Sequence, residues 1–320
     1  MFAPAHFHFC VPPEYGGHRL DQVIPACCEE LSRSYARKLI DIGGVHVQRR
    51  RARKCALEVA AGVEIEIFID GRSLNPYRVD PAEIIYQDKY ILALNKPSGT
   101  VMQPTPARYK GSVYEALLCH LHNPFQRHTK PELGMVQRLD CGTSGVVVFS
   151  IHKSSHKALT ACFAQRNARK VYLALVVGAP DQAEGSIHSL LARNRASNKM
   201  KSVAKGGKEA ITHYRVLEQV SGYTLVEVEI LTGRTHQIRV HLSEAGWPIV
   251  GDTLYAGSVQ VNDMAVGRAM LHAHSLEIPH PSTPGRQLQL AAPLPPDFIA
   301  TLSYAGFSDA SISRYRSNRI

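Results

Sequence analysis

Val146-Val147-Val148-Phe149 is an uninterrupted apolar run set directly behind Gln137-Arg138-Leu139-Asp140-Cys141-Gly142-Thr143-Ser144-Gly145. Such a run, opened by a Gly/Thr/Ser turn, reads as a buried strand. The turn ahead of it places one carboxylate, Asp140, between an arginine and small turn-forming residues. A loop mounted on a rigid strand can hold a reactive group in place. The same residues also suit an ordinary turn, with Asp140 accepting bonds from nearby backbone N–H groups. These nine residues alone do not separate the two readings; the rest of the chain has to.

The formal charge of +10 over 320 residues bears on the partner. An excess of this size suits a polyanion, unless it is spread thinly for solubility. It is clustered. A helix is predicted from an N-cap at Ser32 to Gly43-Gly44, with Arg33, Arg37 and Lys38 on it; Arg33 and Arg37 lie one turn apart on one face. The strand Val45-His46-Val47 and the run Arg49-Arg50-Arg51-Ala52-Arg53-Lys54 follow, and Val63, Ile65 and Ile67 alternate along a closing strand. A basic module over residues 15–75 with a phosphate-contacting surface is therefore expected. Ahead of it, residues 1–11 read as a short flexible arm in which His6, His8 and Cys10 are incidental. A second basic run, Arg193, Arg195, Lys199, Lys201, Lys205 and Lys208 without an acid, is expected on a loop that contacts RNA.

Other classes find little support. The seven cysteines form no C-x-x-C pair or regular framework, which suits reduced thiols in a cytoplasmic protein. No signal-peptide pattern and no membrane-length apolar run is seen. His120, His122 and His128 lack zinc-ligand spacing, so no metal is expected.

After a polar linker, a second domain is expected over 80–305. Ile84 to Gly99 reads as two strands ending in Asn95-Lys96-Pro97-Ser98-Gly99, and Ser112 to Leu121 as a helix with Ser112 and Glu115 in capping-box spacing. A helix over about 154–166 and a strand Lys170 to Gly178 carrying Tyr172 come next. Ala210–Leu217 and Thr224–Leu231 read as paired strands. They lead into Thr232-Gly233-Arg234-Thr235-His236-Gln237-Ile238-Arg239-Val240-His241, dense in groups that donate or orient protons.

Taken in order, Q-R-L-D-C-G-T-S-G, N-K-P-S-G, K-V-Y-L-A-L-V-V-G, G-R-T-H-Q-I-R-V-H, P-I-V-G-D and L-H-A resemble the motifs of the RluA/RluD family of pseudouridine synthases, over residues 84 to about 300. Gln137 stands where that family usually has histidine. Arg19-Leu20-Asp21, Ser32-Arg33-Ser34 with Arg37, and the G-x-V-x-V strand resemble the alpha-L RNA-binding module of ribosomal protein S-four. The resemblance implies an α+β fold: a mixed, largely antiparallel central sheet flanked by helices, plus a small α/β alpha-L domain. It implies isomerisation of uridine to pseudouridine in RNA, with large-subunit ribosomal RNA the first expectation and transfer RNA the alternative. A non-catalytic RNA-binding protein that kept the fold is the rival. An isomerisation needs no oxidant, energy donor, metal or cofactor. By the resemblance Asp140 is the catalytic carboxylate, Arg239 holds it in ionised form through a two-bond fork, and Tyr172 stacks on the target base and is a candidate to help remove the proton from carbon five. Arg138 fills the space of the flipped-out nucleotide or contacts the displaced backbone. Thr143, His236 and Gln237, with Arg33, Arg37 and Lys38 of the basic module, complete the expected RNA contacts. A monomer is expected.

Overall fold

The computed structural model describes residues 3–123, 131–194, 197 and 199–315. These fall into two compact units, one from Met1–Val79 with Gly99–Pro131 and one from Asp80–Ser98 with Glu132–Ile320. The segment 99–131 therefore packs with the N-terminal module, although strands before and after it belong to the second unit.

The first unit holds β1 (Ala5–Cys10), α1 (Leu20–Cys27), α2 (Arg33–Ile42), β2 (Val45–Val47), β3 (Arg50–Arg51), β4 (Glu64–Ile69) and α3 (Val113–His120). Its antiparallel sheet runs β1-β4-β2-β3. Leu20, Val23 and Ile24 of α1 and Leu39 and Ile40 of α2 pack with Ile65 and Ile67 in one core. α2 begins where Ser32 Oγ accepts from the Tyr35 amide at 3.3 Å and ends at Gly43, whose φ of +92° a side chain would resist. The N-terminal arm is not a flexible arm. It is β1, paired along its length with β4. Phe7 and Phe9 turn toward the core, while His6 and His8 face Glu66 and Glu64 at 3.6 and 2.7 Å. The partner strand lies more than fifty residues away (His8 to Glu64, a separation of 56), so no local signal announced it. At α3 the Ser112 cap forms, but Glu115 accepts from the Gly111 amide at 2.9 Å, one residue earlier than a capping box requires.

The second unit holds β5 (Ile84–Gln87), β6 (Ile91–Lys96), β7 (Gly134–Met135), β8 (Ser144–Ser150), α4 (Lys153–Ala164), β9 (Arg169–Val177), β10 (Glu184–Arg193), β11 (Met200–Val203), β12 (Lys208–Val220), β13 (Tyr223–Ile230), α5 (Gln237–Glu244), β14 (Leu271–Pro279), β15 (Gln287–Ala291) and α6 (Pro296–Ala305). Its sheet runs β11-β10-β12-β13-β9-β14-β8-β6-β5, with β15 added to β14 and β7 to β8. Only the β8–β14 pair is parallel among the described residues, so the sheet is mixed and largely antiparallel. The fold is α+β, as expected.

Every residue of β8 is buried. Val147, Val148 and Phe149 are wholly excluded from solvent, each contributing about 1.5–3 kcal/mol of burial. This strand is a rigid base for the turn before it. The basic run over 189–208 is not a loop but largely the β10–β11 hairpin, with Arg193 opposite Met200 and Leu190 opposite Val203. β11 ends the sheet and is only four residues long, Met200-Lys201-Ser202-Val203, too short for an apolar alternation to mark it as a strand. Arg195 of this run and His128 lie outside the described residues.

Gly145 sits at the parallel junction, opposite Ala273, with φ +113°. A Cβ there would lie 2.2 Å from the Ala273 carbonyl oxygen. Gly145→Ala is expected to lower stability by about 2–4 kcal/mol, read as a reduced urea midpoint. An unchanged midpoint would show that the junction relaxes freely.

Candidate active site

Three successive carbonyls of the turn before β8 are each bound. Asp140 O accepts from the Thr143 amide at 3.1 Å. Cys141 O accepts from Lys96 Nζ at 3.2 Å, and Gly142 O from Arg268 Nη1 at 3.2 Å. Lys96 is fully buried at the end of β6 and also donates to Pro97 O at 2.8 Å. Arg268 is held bidentately by Asp297 at 2.6 and 3.0 Å. One residue on, Ser144 Oγ lies 2.9 Å from His272 Nδ1. His272 Nε2 donates to Ala292 O at 3.1 Å, so Nδ1 is the acceptor and the serine donates. Burial keeps this histidine neutral, pushing its pKa down to about 3.

Above this frame, the Asp140 carboxylate keeps 28% of its side-chain surface open. Arg239 Nη1 lies 3.3 Å from its Oδ2, and His236 Nε2 lies 3.8 Å from the same oxygen. Arg239 comes from the first turn of α5. Its fork is committed elsewhere: Nε and Nη2 hold the buried Asp252 at 2.6 and 2.7 Å. The expected two-bond grip on Asp140 is thus a single longer bond, because Asp252 occupies the bidentate edge. Tyr255 presents its ring to the Arg239 guanidinium at 5.0 Å. Its hydroxyl accepts from the Met200 amide at 3.0 Å and meets His236 Nδ1 at 2.9 Å. His236 has a left-handed backbone (φ +55°), uncommon outside glycine, where the chain turns into α5. Burial lowers the pKa of His236.

Tyr172 reaches the same place through sheet register. It pairs with Ala273, which pairs in turn with Gly145. The ring is 8% exposed, and its hydroxyl has no hydrogen-bond partner among the described residues. Burial, followed by the negative charge of Asp140, raises the Tyr172 pKa above its ordinary value, so the hydroxyl stays protonated.

Of the site residues read from sequence, Asp140, Tyr172, Arg239 and His236 converge here. Arg138 projects to solvent with no polar partner among the described residues. Thr143 is buried in the turn. Gln137 Nε2 is shielded from solvent without a partner among the described residues. Gln237 corrects the expectation of an RNA contact: it is buried, and its amide bonds Thr232, the Arg234 amide, Ile211 O and Thr212. It ties α5 to β12. Arg33, Arg37 and Lys38 belong to the first unit. There Arg19, Arg33 and Arg37 surround the buried Asp21 at 3.0, 3.3 and 3.9 Å, while Lys38 is exposed.

Sequence reading assigned no role to Lys96, Asp252, Tyr255, Arg268 or His272. A signal existed for Lys96, a charge at the end of the apolar run Ile91–Leu94, and for Asp252 beside Gly251. None existed for Arg268, whose partners are set by tertiary packing alone.

The pattern of the RNA pseudouridylate synthase family matches residues 90–244. The ribosomal large subunit pseudouridine synthase D of Pseudomonas aeruginosa is 34% identical over 305 residues, 92% of this chain and 93% of that protein. An uncharacterized RNA pseudouridine synthase of Synechocystis is 35% identical over 295 residues, 90% of this chain and 89% of that protein. Among solved structures, human RNA pseudouridylate synthase domain containing 4 superposes with a TM-score of 0.57 at 26% identity, covering 70% of this chain and 93% of that one.

The two carboxylates that share Arg239 should respond differently to neutralisation. Asp252→Asn is expected to cost roughly 3 kcal/mol in urea unfolding, because it removes the charge from a buried pair. Asp140→Asn, which loses one longer and partly solvated bond, should cost under about 1 kcal/mol. Equal losses would contradict this division of roles.

Proposed function

The chain belongs to the RNA pseudouridylate synthase family, and we propose that it converts uridine to pseudouridine in large-subunit ribosomal RNA with Asp140 as the reacting carboxylate. It is an isomerase acting on RNA. The observation that carries the site assignment is the meeting of Asp140, Arg239 and Tyr172 over one anchored turn. The ribosomal substrate rests on the names of several relatives, ribosomal large subunit pseudouridine synthases D, that align along most of the chain.

In this reading the reaction separates the uracil ring from the sugar, turns it, and rejoins it through carbon five. The proton leaving carbon five is balanced by one arriving at the nitrogen that carbon five replaces, so no external oxidant or energy donor enters. A base stacked in a helix cannot reach Asp140. The target uridine is therefore flipped out, at a cost of a few kcal/mol, with exposed Arg138 entering the vacated space. Tyr172 offers its ring face to the uracil. In this reading it acts as a stacking group and a hydrogen-bond donor, and its raised pKa keeps the hydroxyl in the neutral form. Arg239, steadied by Asp252, orients Asp140 without neutralising its second oxygen. His236 stands beside the Asp140 carboxylate, whereas Thr143, buried in the turn, supports it through its amide hydrogen bond to Asp140 O and is not itself an RNA contact.

Residues 15–75 are proposed as an alpha-L RNA-binding domain, and 80–305 as the catalytic domain, of which the segment beginning at Gly99 packs with the first unit. Three arginines around a single Asp21 leave an uncompensated positive cluster, which suits phosphates. Arg33, Arg37 and Lys38 supply part of that contact, and the β10–β11 hairpin supplies Lys199 and Lys201. Such a protein works where ribosomes are assembled, in the cytoplasm.

Two measurements check this. Ribosomal RNA carrying tritium at carbon five of uridine should lose label to solvent with the wild-type protein. Asp140→Asn should slow the release by about a thousandfold or more while RNA affinity stays within about twofold. Absence of release from any ribosomal RNA would sink the assignment. In the same assay, single-turnover rates should show no tenfold rise per pH unit attributable to Tyr172 between about pH 7 and 10, since a hydroxyl that stacks and donates acts in its neutral form, whereas a phenolate base with a raised pKa would give that rise. A rise that vanishes in Tyr172→Phe would restore the phenolate base.

A further inference from the structure

We propose that Tyr109, set beside Arg51 and Arg53 on the first unit, is a stacking site for an unpaired nucleobase of the RNA; the proposal rests on the RNA-modifying reading above. Tyr109 is one of few large apolar side chains left open, 36% exposed. The Arg53 guanidinium lies 5.8 Å from its ring centroid and that of Arg51 6.0 Å. Sequence reading counted these arginines among the basic residues. It did not pair them with a tyrosine some sixty residues away, which packing of the segment 99–131 brings to them.

The ring is mounted before any ligand arrives. The amides of Tyr109 and Lys110 both donate to Ile42 O, at 2.7 and 3.1 Å, at the end of α2. Arg51 donates to the carbonyl of Gly43 and to Thr105 O, the latter at 2.7 Å. Thr105 and Arg108 close a turn through reciprocal backbone bonds of 2.8 and 3.1 Å. Arg108, itself buried, grips Asp70 at 2.7 and 2.9 Å. A side chain at Gly43 would come within 3.1 Å of Tyr109 Cβ, so the tyrosine lies close against bare glycine. A fixed aromatic ring loses little conformational entropy on binding.

The chemistry around the ring selects a nucleic acid. Arg49, Arg50, Arg53 and Lys54 are exposed and form no ion pair among the described residues. Lys110 is paired with Asp41 at 2.6 Å. Free cations meet phosphates, and an open tyrosine face meets a base. A duplex shows its outside as phosphate and sugar, with its base faces already stacked. The ring therefore gains only from an unpaired base. Arg53, lying by the ring, can cover the same base with its guanidinium plane.

The test uses the full-length protein and a short fluorescein-labelled single-stranded RNA, compared with the same strand in a duplex. Tyr109→Leu and Tyr109→Ala are expected to weaken single-strand binding by about 5- to 100-fold, with the salt dependence unchanged. Tyr109→Phe should stay within about twofold, and duplex binding should be unaffected by all three. Arg53→Gln should reduce the slope of log affinity against log salt by about one. Urea midpoints equal to wild type exclude misfolding as the cause. Wild-type single-strand affinity in Tyr109→Leu overturns the proposal. So does equal loss of duplex and single-strand binding, and so does an effect of Tyr109→Leu confined to binding of a protein. Tritium release by the wild type is read separately: its absence would refute the isomerase reading, whereas release with an unaffected Tyr109→Leu would refute the stacking site alone.

Discussion

Arg239 is one cation shared unequally by two carboxylates, and the site depends on that inequality. A buried guanidinium needs a partner, since an uncompensated charge away from water costs several kcal/mol. Asp252 meets the need with two short bonds and is itself almost wholly enclosed. Asp140 is thereby free of a structural duty and keeps 28% of its side-chain surface open. The turn bearing Asp252 depends on Gly251, whose φ is +79° and where a Cβ would fall 1.8 Å from the Arg268 carbonyl. Arg268 then reaches across to Gly142. The support of the guanidinium and the support of the reactive turn are therefore one connected structure.

The turn itself is held by charge as well as by strand. Lys96 and Arg268 each place a cation on a carbonyl of the 140–142 segment, and charge-assisted bonds of this kind are stronger than neutral ones. Behind it, His272 joins Ser144 to Ala292, with its ring neutral in the interior. A carboxylate on a loop would otherwise sample many positions. Here the buried strand, the two cations and the histidine limit it, which is the preorganisation that the proposed role of Asp140 calls for.

The net charge of +10 divides into two populations. Arg51, Arg108, Arg239 and Arg268 are built into the fold by carbonyls and carboxylates. Arg33, Arg37, Lys38, Arg53 and Lys54 face solvent in the first unit, and Lys201 and Lys205 do so in the second. Composition reports only the sum. The split matters because only the second population can exchange bound counterions for RNA phosphates.

Much was legible from local chemistry. The apolar run behind Gly145 had to be a buried strand. Ser32 and Gly43 bounded a helix through side-chain capping and a positive φ. The motif order around Asp140, Tyr172 and Arg239 marked the family and its α+β sheet. What could not be read is long-range. β1 looked like a loose arm because β4 completes it from far along the chain, and the β10–β11 hairpin looked like a loop because β11 is only four residues long and the basic residues around it mask any apolar alternation. Gln237 looked available for RNA until its amide was found bonded on every side. The sequence by itself determined the family, its α+β sheet and the candidate residues for the chemistry, because turn, cap and strand preferences act over a few neighbours. Only the tertiary structure decided that Arg239 grips Asp252 before Asp140, that Lys96 and Arg268 hold the turn, and that Tyr109 lies beside Arg51 and Arg53. Those contacts join residues distant in sequence, and their energies depend on burial that exists only once the chain has folded.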